Sequence, residues 1–242
     1  MDIRLSLGIL PQPDDVTCGP TCLHAVYSYF GDNADLMDIA RSIVRLPTGG
    51  SLAVTLAVHA LRRGYKATIY TYNFRLFDPT WFDKSFTGSI RDRLERQAQR
   101  KTGDSLLQFA TRQYIEFLAL GGEVRCRELS GAFIRDTLRA DIPILTGLSA
   151  TYLFNAVREI DETNEPDDIA GEPVAHFVVL AGYHHEHRKV LIADPLNSRP
   201  GFGNHYYEVG MERLIGAICL GAHSMHANLL LIEPRSPRST RA

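Results

Sequence analysis

Gln12-Pro13-Asp14-Asp15-Val16-Thr17-Cys18-Gly19-Pro20-Thr21-Cys22 sets a thiol at the threshold of a helix, with a side-chain amide six residues upstream. Pro20 suits a first helical turn, where its missing N–H would have no intrahelical acceptor, and residues 21–30 contain no breaker before Gly31. Cys18 therefore falls at or beside the N-cap. Free backbone N–H groups and the positive end of the helix dipole favour a thiolate there, the form that attacks a carbonyl carbon. Gln12 could then donate its side-chain amide to the oxyanion that such an attack creates. The competing reading is a buried structural cysteine after a polar turn, and Cys-Gly-Pro alone does not decide between the two.

A thiol nucleophile needs a base. Residues 176–183 read as a strand that begins at His176, and residues 189–194 as a second strand, ended by Pro195, with a polar turn between them. Paired as a hairpin, they bring His176 and Asp194 to one edge, where Asp194 can orient the imidazole. Taken singly, a histidine that opens a buried strand is a hydrogen-bonded core residue, and Asp-Pro merely stops a strand. The joint pattern of Gln12, Cys18, His176 and Asp194 favours chemistry over either bland reading.

Gln-x5-Cys-Gly-Pro opening a helix, followed by His176-Phe177-Val178-Val179-Leu180-Ala181-Gly182-Tyr183 and Val190-Leu191-Ile192-Ala193-Asp194-Pro195, resembles the C39-like branch of the papain-like cysteine peptidases. Thr48-Gly49-Gly50-Ser51-Leu52, leading into a helix that ends at Arg63-Gly64-Tyr65, resembles the segment after the nucleophile helix in that group. The resemblance covers both ends of the chain but not most of residues 70–145. It implies an α+β, papain-like cysteine proteinase fold, its N-terminal helical half packed on a mainly antiparallel sheet. It further implies a cysteine peptidase-like hydrolase in which Gln12 serves the oxyanion hole, Cys18 is the nucleophile, His176 the general base and Asp194 the orienting acid. The strand at 141–148 is expected, on the same resemblance, beside the His176 strand. Two rival readings use the same groove: an acyl transferase or transpeptidase sharing the acyl-enzyme, and a non-catalytic peptide-binding module.

At 242 residues, 45% of them hydrophobic, the chain is long enough for one substantial core. A single domain over residues 1–233 is expected, with a helical insertion at about 73–122 and a disordered basic tail at 234–242. A formal charge of −2 and scattered Lys and Arg give no field for nucleic acid. No apolar run approaches the roughly 20 residues that span a bilayer, so no membrane partner is expected. The expected partner is a peptide or protein substrate, and nothing in the sequence sets an oligomeric state. Cys18, Cys22, Cys126 and Cys219 are expected reduced in a cytoplasm, because residues 1–4 lead into a short apolar run without a cleavage pattern. His184, His185 and His187 crowd one turn and lack the spacing of a zinc site, so no metal and no cofactor are expected.

Patterning fills in the rest. Residues 3–10 read as an edge strand feeding the Gln12 loop, 35–44 and 51–63 as helices, and 66–72 as a strand. His59 falls within an apolar helical stripe and reads as structural. Residues 73–82 form an aromatic-dense loop, read as a satellite core rather than a groove lining. Helices follow at 89–101 and 104–120, a strand at 123–129 and a helix reaching 140 behind Ser130. The strand at 141–148 carries Pro143, which suggests an edge or the strand's first residues. The acidic stretch 159–168 reads as a solvated connection, with a lid that repels acidic substrates as the alternative. Residues 195–205 form a Gly-rich loop without phosphate-cradle spacing; a strand at 206–209, a helix at 211–219 and a strand at 226–233 complete the sheet.

Overall fold

The helix opened by the Cys-Gly-Pro motif is α1 (Cys18–Tyr29) in the computed structural model, which describes residues 2–161, 163–196, 205–222 and 224–235. Thr17 occupies the N-cap, but its hydroxyl does not cap the helix. It closes the preceding turn instead, donating to the Asp14 carbonyl at 3.1 Å and accepting from the Asp14 N–H at 3.2 Å. The helix stops where Gly31 takes φ +83°, a left-handed backbone that an L side chain resists.

The chain ahead of α1 is less regular than its alternation suggests. Only β1 (Ile3–Arg4) enters the sheet, although Leu5 and Leu7 are buried in turn. Tyr206 accounts for the difference: its hydroxyl accepts from the Ile9 N–H at 3.0 Å and donates to the Leu7 carbonyl at 2.9 Å. A side chain thus meets backbone groups that a ladder would otherwise pair.

After α1 come α2 (Leu36–Ser42), capped by Asp35, then α3 (Ala53–Arg62) and β2 (Tyr65–Thr71). Next are α4 (Ile90–Arg100) and α5 (Ser105–Ala119), whose N-caps Ser89 and Asp104 each accept from a first-turn N–H. The chain continues through β3 (Glu123–Arg125), α6 (Gly131–Arg139), β4 (Ile144–Ser149) and a short α7 (Ala150–Phe154) that the sequence pattern had not suggested. It closes with β5 (Ala175–His184), β6 (Lys189–Ala193), β7 (Tyr206–Gly210), α8 (Met211–Leu220) and β8 (Asn228–Pro234).

The strands form one sheet in the order β3-β2-β8-β4-β5-β6-β7, with β1 paired to β5. Every pairing is antiparallel except that of β2 with β3. The architecture is α+β. β4 is internal, between β8 and β5, and its proline causes no conflict because Pro143 precedes Ile144, the first paired residue. Pro234 is not the start of a tail but the end of β8, opposite Tyr65. Residues 236–242 of the expected tail and 197–204 of the Gly-rich loop lie outside the described residues.

α1 packs on β5, α3 on β2 and α8 on β4. Residues 73–122 join the same core through Phe77, Leu94, Leu107, Tyr114 and Phe117. Phe77 meets Tyr114 edge-on, ring centroids 4.8 Å apart, so the aromatic loop is a packed element. Phe77→Ala is expected to cost about 3–5 kcal/mol in urea unfolding, against under about 0.5 kcal/mol for exposed Phe74→Ala. Equal losses from the two would mean that the loop does not pack as described.

Candidate active site

Cys18 is the first residue of α1, and its position depends on the residue after it. A Cβ on Gly19 would meet Leu56 Cδ1 and Phe177 Cδ2, each at 3.2 Å, so glycine lets the first helical turn sit directly on β5. One turn later the Cys22 thiol donates to the Phe177 carbonyl at 3.3 Å, fixing α1 against the same strand. His176, the residue before Phe177, interacts with Cys18 at the start of the helix.

His176 is the second residue of β5 and lies opposite Leu148 of β4. The β5–β6 hairpin pairs Val179 with Ala193, which brings Asp194, just past β6, back to the His176 end. Both side chains are buried, and His176 Nε2 lies 2.7 Å from Asp194 Oδ1. With Nε2 donating to the carboxylate, Nδ1 is left for the thiol, and a hydrogen bond joins the His176 ring to Cys18.

Electrostatics follows from this series. Burial alone would push the Cys18 thiol up, but the hydrogen bond and charge of His176, with backbone hydrogen bonds from Phe177 and Gly19, hold it below the ordinary cysteine value. Burial alone would likewise lower His176; the Asp194 charge and hydrogen bond, with Cys18, instead push it up to about 10. Asp194 is lowered, because His176, the Tyr207 hydroxyl and the Leu196 N–H outweigh its burial. Each shift runs in the direction that favours a thiolate beside an imidazolium, backed by a carboxylate. Cys22, Cys126 and Cys219 are all pushed up, each by burial first. All four cysteines are free thiols.

Gln12 is tied both to the residue after Asp194 and to the turn before Cys18. Its N–H donates to the Pro195 carbonyl at 2.8 Å, and its side-chain Nε2 donates to the Asp14 carbonyl at 2.8 Å. The amide is thus buried and aimed at the turn that ends at Cys18. Asp194 has a further partner, Tyr207, whose hydroxyl donates to Oδ2 at 2.6 Å.

A family model for the peptidase C39-like family matches residues 5–215. This chain belongs to that family. No curated protein matches it. Among solved structures, a candidate C39-like peptidase from Bacillus anthracis superposes with a TM-score of 0.53 at 17% identity, over 98% of this chain and 100% of that one. Two more distant likenesses are a double glycine motif protease from an AMS/PCAT transporter, solved with its leader peptide, and the peptidase domain of Streptococcus ComA, a bifunctional ABC transporter. The first has a TM-score of 0.45 and 14% identity over 96% of this chain and 94% of its own; the second has 0.43 and 13% over 95% and 99%.

Membership of the C39-like family implies a cysteine peptidase-like function, and the fold is that of its papain-like members. Tyr207 went unread in the sequence, because a tyrosine in a half-exposed strand has the same pattern whether it packs or holds a carboxylate. Its placement shows only in the folded ladder: Tyr207 lies opposite Ile192, and residues 192 and 194 project to the same face.

Proposed function

We propose that this C39-like protein is a thiol hydrolase that cleaves an amide bond in a peptide or protein through a thioester on Cys18. The observation that carries the reading is the series from half-buried Cys18 to buried His176 and Asp194, in which Cys18 alone of the four thiols is held below its ordinary value. The Cys18 thiolate attacks the scissile carbonyl, and imidazolium His176 gives its proton to the departing amine. Neutral His176 then takes a proton from water, hydroxide attacks the thioester, and the carboxylic product leaves with the thiolate restored. Asp194 keeps the ring oriented and balances its charge throughout. The start of α1 and the Gln12 amide supply donors for the oxyanion. Among the described residues no helix is long and apolar enough to cross a membrane.

The test is digestion of a peptide library with product analysis by mass spectrometry, together with the intact mass of the acid-quenched protein. Acyl adducts on Cys18 and products carrying one added water support hydrolysis; products joined to an amine would assign acyl transfer instead. Gln12→Ala is expected to lower turnover by roughly 10²–10³-fold with folding unchanged. An undiminished rate would remove Gln12 from the site.

A further inference from the structure

We propose that Tyr207 is a positioning residue for the reaction, holding the Asp194 carboxylate plane so that Oδ1 meets His176 Nε2. The inference rests on the reading of Cys18 and His176 as nucleophile and base. Both carboxylate oxygens are engaged. Oδ1 accepts from His176 Nε2 at 2.7 Å and from the Leu196 N–H at 2.9 Å, while Oδ2 accepts from the Tyr207 hydroxyl at 2.6 Å. A carboxylate held through Oδ1 alone can turn about its Cβ–Cγ bond, and turning swings that oxygen out of the imidazole plane. The bond to Oδ2 blocks the rotation and leaves the in-plane contact as the stable one.

The fold fixes Tyr207 for this task. Its backbone is set by the ladder opposite Ile192, and its ring rests edge-on against Phe154 with centroids 5.6 Å apart. Its neighbour Tyr206 projects the other way and holds the Leu7–Ile9 backbone that leads to Gln12. One strand therefore braces both the orienting acid and the approach to the amide. The main chain of Asp194 is held from the same side, its N–H donating to the His205 carbonyl at 2.8 Å and its carbonyl 2.9 Å from His205 Nδ1. The titratable groups around Asp194 are His176 from β5, Tyr207 and His205 from β7 and its approach, and Cys18 and Cys22 from α1.

Tyr207→Phe keeps the ring and removes only the donor. Without that donor Asp194 binds a proton more readily, His176 loses its counter-charge at a higher pH, and the Cys18 thiolate disappears earlier on acidification. The probe is iodoacetamide, with labelling of Cys18 in the full chain followed from about pH 4 to 8 by peptide mass spectrometry. The acidic midpoint of the labelling rate is expected to rise by about one pH unit in Tyr207→Phe. Site-specific 3-fluorotyrosine at position 207, a stronger donor on the same ring, should move it down, which keeps the test open even if the phenylalanine variant folds poorly. His176→Ala separates the two levels of the argument. If that variant loses the fast labelling while both Tyr207 variants superpose on wild type, the positioning role is overturned and the thiolate–imidazolium reading stands. If His176→Ala labels like wild type, the reading itself falls and the Tyr207 role with it. A Tyr207→Phe variant that melts at lower temperature with an unmoved midpoint assigns the tyrosine to packing and overturns the proposal.

Discussion

Cys18→Ala is expected to lower peptide cleavage by at least about 10⁴-fold while leaving the protein folded, because it deletes the only atom that forms the acyl bond. What survives of the proposed site is His176 with the proposed oxyanion donors, which would assist water only weakly. Burial supports the second half of the expectation. The thiol sits half-buried at the start of α1, and the contacts that fix the helix come from Gly19 against Phe177 and from Cys22 to the Phe177 carbonyl. Alanine keeps the helix start and leaves those contacts alone. Cleavage products measured by mass spectrometry, with near-ultraviolet circular dichroism on the same preparations, read both halves. Cleavage that persists at the wild-type rate in a folded Cys18→Ala protein would end the thioester mechanism.

The second large effect needs no substrate. His176→Ala should slow iodoacetamide labelling of Cys18 at pH 6 by about 10²-fold. A thiol of ordinary acidity is thiolate only to about 0.3% at that pH, and burial without the imidazolium depresses the fraction further. The lower intrinsic nucleophilicity of an acidic thiolate offsets part of this gain, which is why the expected ratio is not larger. Asp194→Ala acts only through the ring and should cost about tenfold. Cys22 provides an internal comparison four residues away on the same helix: fully buried, donating to a carbonyl and pushed up by burial, it should label slowest in every variant. Wild-type Cys18 labelling no faster than exposed Cys219 would mean that no thiolate is held at the helix start.

The parts of the fold that were legible in sequence are those set by short-range rules. Pro20 and Gly31 bracket α1, and Ser89, Asp104 and Ser130 cap the helices that follow them. The β5–β6 hairpin could be read because both strands and their turn lie within twenty residues, and with it came the nearness of His176 and Asp194. What sequence could not supply is pairing between distant segments. Nothing local says that β8 lies between β2 and β4, that β1 gives way to a tyrosine contact after two residues, or that β7 delivers a hydroxyl to Asp194. Gln12 was readable as an amide near the nucleophile, but its bond to the Asp14 carbonyl depends on a turn whose shape is set by the Thr17 side chain.

The strand order also bears on how the protein comes into being. Among the described residues β8 follows every other strand, yet it lies inside the sheet, joining β2 on one side to β4 on the other. During synthesis, the Cys18 helix and the His176 hairpin, which pack directly on each other, leave the ribosome before the strand that joins β2 to β4. A nascent chain at that stage has β2 and β4 each lacking a neighbour, and long-range pairing of this kind is slow to close. Closure of the whole sheet thereby waits for β8, whereas the contact between α1 and β5 that brings Cys18 to His176 does not.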